Sequence, residues 1–551
     1  MKSMRCLAAA WLLGQALPAQ DLLWQIPSPP STTSYGTVSA FVDYDGDGAR
    51  DLLHAAILNY GIPGQMVALE ILSGMTGAVL QTVPQNTLRG AVYAGDVDGD
   101  GHPDVARLHT GSLTPNMYAL EIYSLANQTQ LWQNLGPLTY SYGWALLGDL
   151  DVNGDGRPDF LTITSHPSDS RVFVYDNSGT TRYLLQISGV HGVAVSLANM
   201  GDMNADGGDD FLVGVNDYTT QGKVLLVSGM TGAILRTSMG LLPGDKTCDF
   251  ASNVGDIDGD GVTDYAACPW LSASRAIVVF WSGQTGQVIR TLPEFANSVV
   301  TGEDLDQDGV PDFVIGADWQ VTTVPPHRYG STRAYSGRDG TELWRVNNLP
   351  VFSGSAGSNA GFGWMEFAVS LGAQPGNPYP AIAWYDWNWA LAGTYSGRVR
   401  GFRTNFAGQS PVSGTPCSTT AEAPILGVRQ VQPSISSTYP QHTRITVAKG
   451  LPGAAAWLNL DYATATSFGG IPLPVALDPY GLPGCDLYVG PTASVFQVLG
   501  TSGIDRGYAQ VELPRPLSPL TIGTSLVAQW LLFDPATLDY AATQKHQFRL
   551  Q

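Results

Sequence analysis

Short apolar runs recur along the first three-quarters of the chain, and each begins at an aspartate: DLLHAAIL (51–58), DVARL (104–108), DFLTIT (159–164), DFLVGV (210–215), DYAAC (264–268) and DFVIGA (312–317). They are rich in β-branched and aromatic residues and too short for helices, so they predict buried strands. A second pattern runs in step: SGMTGAVLQT (73–82), SGMTGAILRT (228–237), SGQTGQVIRT (282–291) and SGRDGTELWR (336–345), with weaker copies at 123–133 and 175–185. Each predicts a tight glycine turn between two strands. One repeat therefore reads strand, polar loop, strand, connector, strand, glycine turn, strand. Four strands per unit of this length describe a propeller blade.

The polar loop between the first two strands of each unit is acidic. DYDGDGARD starts at Asp43, DVDGDGHPD at Asp96, DVNGDGRPD at Asp151, DMNADGGDD at Asp202, DIDGDGVTD at Asp256 and DLDQDGVPD at Asp304. The starts are 53, 55, 51, 54 and 48 residues apart, the period of a propeller or solenoid. A seventh unit is readable in 361–387 and 393–405, but LGAQPGNPYP replaces the acidic loop and the closing strand is missing. DLLWQI (21–26) resembles QLWQN (130–134) and ELWRV (342–346), so the N-terminal segment is expected to supply the outer strand of blade seven and close the ring. The expected fold is all-β: a seven-bladed β-propeller over 20–405, a linker over 406–422, and a small C-terminal β-sandwich over 423–551, where segments such as RITVAKG and SLVAQWLLFD read as strands.

Composition agrees with this picture: 64 Gly, 36 Pro and only 13% charged residues favour strands and turns over helical bundles. The net charge of −20 argues against nucleic acid as a partner. Residues 1–19 carry Lys2 and Arg5 before an apolar core at Leu7–Leu17, the pattern of a secretory signal peptide. Cys6 precedes that core, which argues against a lipoprotein anchor, and no later stretch is apolar enough to be a transmembrane helix. The expected product is secreted, or held at a cell surface without a membrane anchor. Four cysteines remain, and an exported chain favours two disulfides, paired by neighbourhood as Cys248–Cys268 and Cys417–Cys485, with buried thiols as the alternative.

The acidic loops carry the clearest chemistry. Aspartates at alternate positions repel one another unless a cation lies between them. Positions 1, 3, 5 and 9 of each loop offer side-chain oxygens: Asp43, Asp45, Asp47 and Asp51; Asp96, Asp98, Asp100 and Asp104; Asp151, Asn153, Asp155 and Asp159; Asp202, Asn204, Asp206 and Asp210; Asp256, Asp258, Asp260 and Asp264; Asp304, Asp306, Asp308 and Asp312. Position 6 is always glycine, which tolerates the left-handed turn needed to wrap an ion. An all-oxygen, carboxylate-rich set selects a hard cation, Ca²⁺ before Mg²⁺, in up to six sites. An EF-hand is excluded. It requires a bidentate Glu at position 12, where this chain has His54, Arg107, Thr162, Val213, Ala267 and Ile315.

These loops and their G-D-x-D lead (Gly95-Asp96, Gly201-Asp202, Gly255-Asp256) resemble FG-GAP/VCBS repeats, the units of the integrin α-subunit propeller and of many bacterial exported proteins. The resemblance covers about residues 21–405 and implies a seven-bladed propeller with Ca²⁺ loops on one face. Asn153, Asn204, the degenerate seventh copy and the lack of a membrane anchor depart from the integrin pattern, and the last argues against a receptor role.

No GxSxG, HExxH or P-loop is present, and the eight His stand at no metal-ligand spacing. The aromatic run WYDWNW (384–389) is a possible ligand platform through Trp384, Tyr385, Trp387 and Trp389, with packing between blades as the competing reading. The first functional expectation is a non-enzymatic binding or adhesion scaffold for a protein or glycan. A propeller-based polysaccharide lyase or glycosidase is the alternative, although it needs an acid/base pair outside the repeats. A quinoprotein dehydrogenase, hinted at by the TG..LW strands, is disfavoured because the Trp recurs only at Trp132 and Trp344, with Trp24 at the start, and no vicinal Cys pair exists.

Overall fold

The computed structural model describes residues 20–549, apart from 28–34, 59–65, 86–89, 111–117, 136–140, 166–169, 188–191, 218–220, 242–249, 269–276, 322–327, 348–367, 390–394, 405–414, 421–422, 432–441, 515–523 and positions 295, 297, 302, 376 and 481. The described residues are almost wholly strand and turn, with two short 3-10 turns at Asp478–Tyr480 and Gly503–Asp505.

Seven four-stranded antiparallel sheets follow one another. Their first strands are Tyr35–Ala40, Gly90–Gly95, Ser141–Leu150, Gly192–Gly201, Phe250–Gly255, Ser298–Thr301 and Ala368–Gln374. Each touches the first strand of the next sheet, and the seventh touches the first, so the sheets form a closed ring. This is a β-propeller. In six sheets the strands follow chain order; in the seventh, Gln20–Pro27 lies outside Tyr395–Thr404 and pairs with it antiparallel from Gln20↔Thr404 to Pro27↔Arg398. The first and last strands of the ring thus meet in one sheet, and Trp24 anchors the junction by donating from its indole Nε1 to Gly74 O at 2.8 Å.

The core lies between sheets. Leu161, Ile163, Val172 and Val174 of the third sheet pack against Phe211, Val213, Val215 and Val227 of the fourth. Each second strand is covered on both faces, so side chains on both sides of the pleat are apolar. That is why these strands read as continuous hydrophobic runs rather than alternating ones.

The C-terminal residues form a second unit that has two small two-stranded sheets among the described residues and is built on two main sheets. One holds Ile425–Val431, His442–Ala448 and Ala509–Pro514; the other holds Cys417–Ser418, Tyr540–Ala542, Ser525–Phe533, Ala455–Tyr462 and Ala493–Val498, with His546–Arg549 beside Ser525–Phe533. Val428 and Ile445 from one sheet share a core with Leu458, Trp530 and Phe548 from the other. Cys417 and Cys485 are joined in a disulfide with Cα atoms 5.3 Å apart. Cys417–Ser418 pairs antiparallel with Tyr540–Ala542.

Candidate metal centres

Each acidic loop is folded around its first aspartate. In the first loop the Asp43 carboxylate accepts backbone N–H groups from Gly46 (2.8 Å), Asp47 (3.0 Å) and Gly48 (2.9 Å). The same arrangement recurs at Asp151, with Gly154, Asp155 and Gly156 as donors at 2.7, 3.1 and 2.6 Å. Curling the backbone this tightly requires left-handed residues. Position 6 takes φ between 81° and 91° in all six copies, a value only glycine adopts without strain. Position 4 is also left-handed, but at φ near 60° it accepts Ala205 and Gln307.

The ninth-position aspartates do a different job. Asp51, Asp104, Asp159, Asp210, Asp264 and Asp312 are all fully buried. In the first loop Asp51 Oδ2 accepts the Tyr44 N–H at 2.7 Å, while Oδ1 accepts the Gly74 N–H at 2.9 Å. Gly74 belongs to the SGMTG turn between the third and fourth strands. Gly229, Gly283 and Gly337 repeat this bond to Asp210, Asp264 and Asp312, and Asn177 makes it to Asp159. The serine of the same turn reaches the fifth-position carboxylate, as from Ser228 Oγ to Asp206 Oδ2 at 3.1 Å. The turn glycine is required for space: a Cβ on Gly283 would lie 1.8 Å from Thr263 O. The two sequence patterns that run in step are therefore two halves of one device. Asp104 Oδ1 is the exception, buried with no hydrogen-bond partner, where the turn reads Ser124-Leu125-Ala126 instead of Ser-Gly.

Side-chain oxygens converge in these loops. Ligand atoms of Asp43, Asp45 and Asp51, of Asp96, Asp98 and Asp104, of Asp256, Asp258 and Asp260, and of Asp304, Asp306 and Asp308 lie within 4.8 Å of one another in each set. The other two loops carry Asn153 and Asn204 at position 3, which lowers their charge while keeping an oxygen donor. Burial raises the carboxyls of Asp104 and Asp210 to about 6 and those of Asp159 and Asp264 to about 7, with neighbouring aspartates adding to the rise. Burial and the adjacent carboxylates likewise hold Asp304 and Asp312 well above the usual range. Crowded carboxylates of this kind form an all-oxygen set that fits a divalent cation, which would favour their ionised forms.

Other expected site residues fare differently. Trp384 is buried between the sixth and seventh sheets, stacked on Phe402 at 4.0 Å and near Trp344 at 6.2 Å, because its face of the strand is an inter-sheet face. The side chains of Tyr385, Trp387 and Trp389 lie outside the described residues. So does Cys248, and with it the expected Cys248–Cys268 pair; Cys268 is buried, its sulfur 3.9 Å from Phe250 O. Among the described residues no helix is long and apolar enough to cross a membrane.

The fold and its acidic loops define a class, the β-propeller with a recurring Asp/Gly loop in its blades. Residues 151–213 match the FG-GAP-like repeat and residues 295–335 the FG-GAP repeat. The chain thus carries FG-GAP-type repeats and is similar to the integrin α propeller. It is 30% identical over 175 residues to integrin alpha-4 of Xenopus laevis, covering 28% of this chain and 17% of that protein. It is 27% identical over 257 residues to integrin alpha pat-2 of Caenorhabditis briggsae, covering 40% of this chain and 21% of that one. The chain thus spans about a fifth of these relatives' length. Among solved structures, the exotype rhamnogalacturonan lyase YesX aligns with a TM-score of 0.38 and 14% identity, over 69% of this chain and 76% of that chain.

Proposed function

We propose that this protein is an exported, Ca²⁺-binding β-propeller that serves as a non-enzymatic binding scaffold for a protein or glycan partner. The observation that carries the reading is the convergence of three carboxylates within 4.8 Å in four of the loops, drawn from positions 1, 3 and 9 in the first and second loops and from positions 1, 3 and 5 in the fifth and sixth. Asp43, Asp45, Asp47 and Asp51 would supply the ligands of one ion, and positions 1, 3, 5 and 9 of the other loops would supply theirs, with Asn153 and Asn204 as neutral oxygen ligands. The ion supplies charge neutralisation and pins the loop. The ninth-position carboxylate transmits that order to the turn at the far side of the blade. Six ions would offset twelve of the twenty net negative charges. Export rests on the signal-like residues 1–19.

The test is a thermal melt of the mature protein in Ca²⁺ and in chelator, with bound ions counted by native mass spectrometry. Binding to the native state alone raises the melting temperature. Several ions per chain and a large Ca²⁺-dependent rise are expected. No ions and no rise would leave the loops as acidic turns and remove the basis of the scaffold reading.

A further inference from the structure

The sixth acidic loop differs from the others in what covers it. Asp98 and Asp100 of the second loop are exposed, but Asp306 and Asp308 at the same positions are only 3% and 1% exposed. The C-terminal unit provides the cover. Thr446 Oγ1 donates to Gln307 O at 3.4 Å. Gly427 passes so close that a Cβ there would lie 2.5 Å from Asp306 O, and one on Gly309 would lie 2.7 Å from Ala448 Cβ. The contact extends to the fifth loop, where a Cβ on Gly259 would meet Ile504 N at 2.4 Å.

Arg338 ties the three parts together. It stands in the Ser-Gly turn of the sixth sheet, where the three other Ser-Gly turns have Met75, Met230 and Gln284. Its guanidinium donates to Asp308 O at 2.8 Å and to Asp505 of the C-terminal unit at 2.9 Å, lies 3.3 Å from the Asp308 carboxylate, and stacks on Tyr508 at 3.5 Å. It is one positive charge against the four carboxylates of Asp304, Asp306, Asp308 and Asp312. Sealing the remaining charges away from water is costly unless a cation joins them.

We infer that docking of the C-terminal unit and cation binding at the sixth loop are thermodynamically coupled, so that the docked unit locks the sixth ion in place and loss of that ion releases the unit. This rests on the reading of the loops as cation sites. The uncapped loop can hold its charges in water; the capped loop cannot. The ion therefore favours the capped state, and by reciprocity the cap tightens the ion. The cap also closes the route by which the ion exchanges with solvent, so the sixth ion leaves last.

The mature chain is followed by amide hydrogen exchange in Ca²⁺ and in chelator, with bound ions counted in parallel. Wild type is compared with the double variants D306N/D308N and D98N/D100N. Exchange at Leu426–Val428 and Thr446–Ala448 is expected to rise about tenfold or more in chelator in wild type and in the exposed-loop variant, but to stay indifferent to chelator in D306N/D308N, whose capped loop no longer buries the charges that need the ion. Gly427→Leu approaches from the other side, wedging the cap off an unaltered loop. In a stopped-flow chelator chase it should speed release of one ion about tenfold while leaving the others unchanged. Ions bound as expected, together with cap exchange indifferent to them and unchanged release from Gly427→Leu, would overturn the coupling alone. Absence of bound ions would overturn the cation reading and the coupling with it.

Discussion

The buried carboxylate of Asp264 and the backbone N–H of Gly283, nineteen residues on, are joined by a 2.8 Å hydrogen bond. The same carboxylate accepts the Ile257 N–H at 2.8 Å and the Asp258 N–H at 3.2 Å. One side chain thus fastens the loop at the start of the blade to the turn near its end. Removing it strands buried donors, which costs more than losing the bonds alone. Asp264→Ala is expected to lower stability by about 2–4 kcal/mol in chelator. Asp260→Ala, at an exposed position of the same loop, should cost under about 1 kcal/mol there. Urea denaturation of both variants checks this, and equal losses would mean that the ninth position is no special tether.

Trp24 closes the seventh sheet. Its ring lies so near two glycines that a Cβ on Gly77 would meet it at 2.7 Å and one on Gly401 at 2.4 Å. Trp24→Ala leaves a cavity among Val38, Leu52, Leu371 and Val399 and should cost about 3–5 kcal/mol. Deleting residues 20–27 bares the edge of Tyr395–Thr404, and edge strands recruit other strands. The deletion is expected to be associated in sedimentation velocity; a well-behaved monomer would show that the edge is protected some other way.

The loops were legible in the sequence because every residue that shapes them lies within nine positions and recurs at a fixed period. The inter-sheet strands were legible because burial on both faces removes polar residues. Features set by distant partners were not. The sequence marks Asp51 as a ligand but does not show that it is also a tether, because Gly74, which donates to it, is distant in the chain, and the left-handed fourth position was masked by Ala205 and Gln307. Strand alternation assigned Trp384 to a face but not what that face meets, and a sheet in a ring meets another sheet on both sides. The cap on Asp306 arises from Gly427 and Thr446, more than a hundred residues away and without any local pattern.

The Cys417–Cys485 bond spans 68 residues and ties the first strand of the C-terminal unit to the loop that packs with Leu477 and Ala542. Closing a loop of that length restricts the unfolded chain by roughly 4 kcal/mol in the chain-entropy account. Cys417→Ser/Cys485→Ser should lower the unfolding midpoint of this unit while leaving that of the propeller near its wild-type value. Two transitions resolved by tryptophan emission and calorimetry would report this. A uniform shift of both would show that the two units unfold as one.

His546 gives the boundary between the units a pH dependence. It is fully buried in the C-terminal unit, and its Nδ1 lies 3.4 Å from the hydroxyl of Tyr379 in the seventh sheet. Burial lowers the imidazole from 6.5 to about 4, against a small opposing effect of the Leu426 backbone. Above pH 6.5 both folded and unfolded chains carry neutral imidazole, and the contribution to stability is complete. As pH falls below 6.5 the unfolded chain takes up the proton first, so stability is lost progressively down to about pH 4, to a total near 3 kcal/mol. Many carboxylates also titrate in that range, so the informative quantity is a difference. His546→Gln cannot take up this proton, and its urea midpoint should fall less steeply than wild type between pH 6.5 and 4.5. Parallel pH profiles would show that the folded protein takes up this proton as readily as the unfolded chain and that burial does not lower His546.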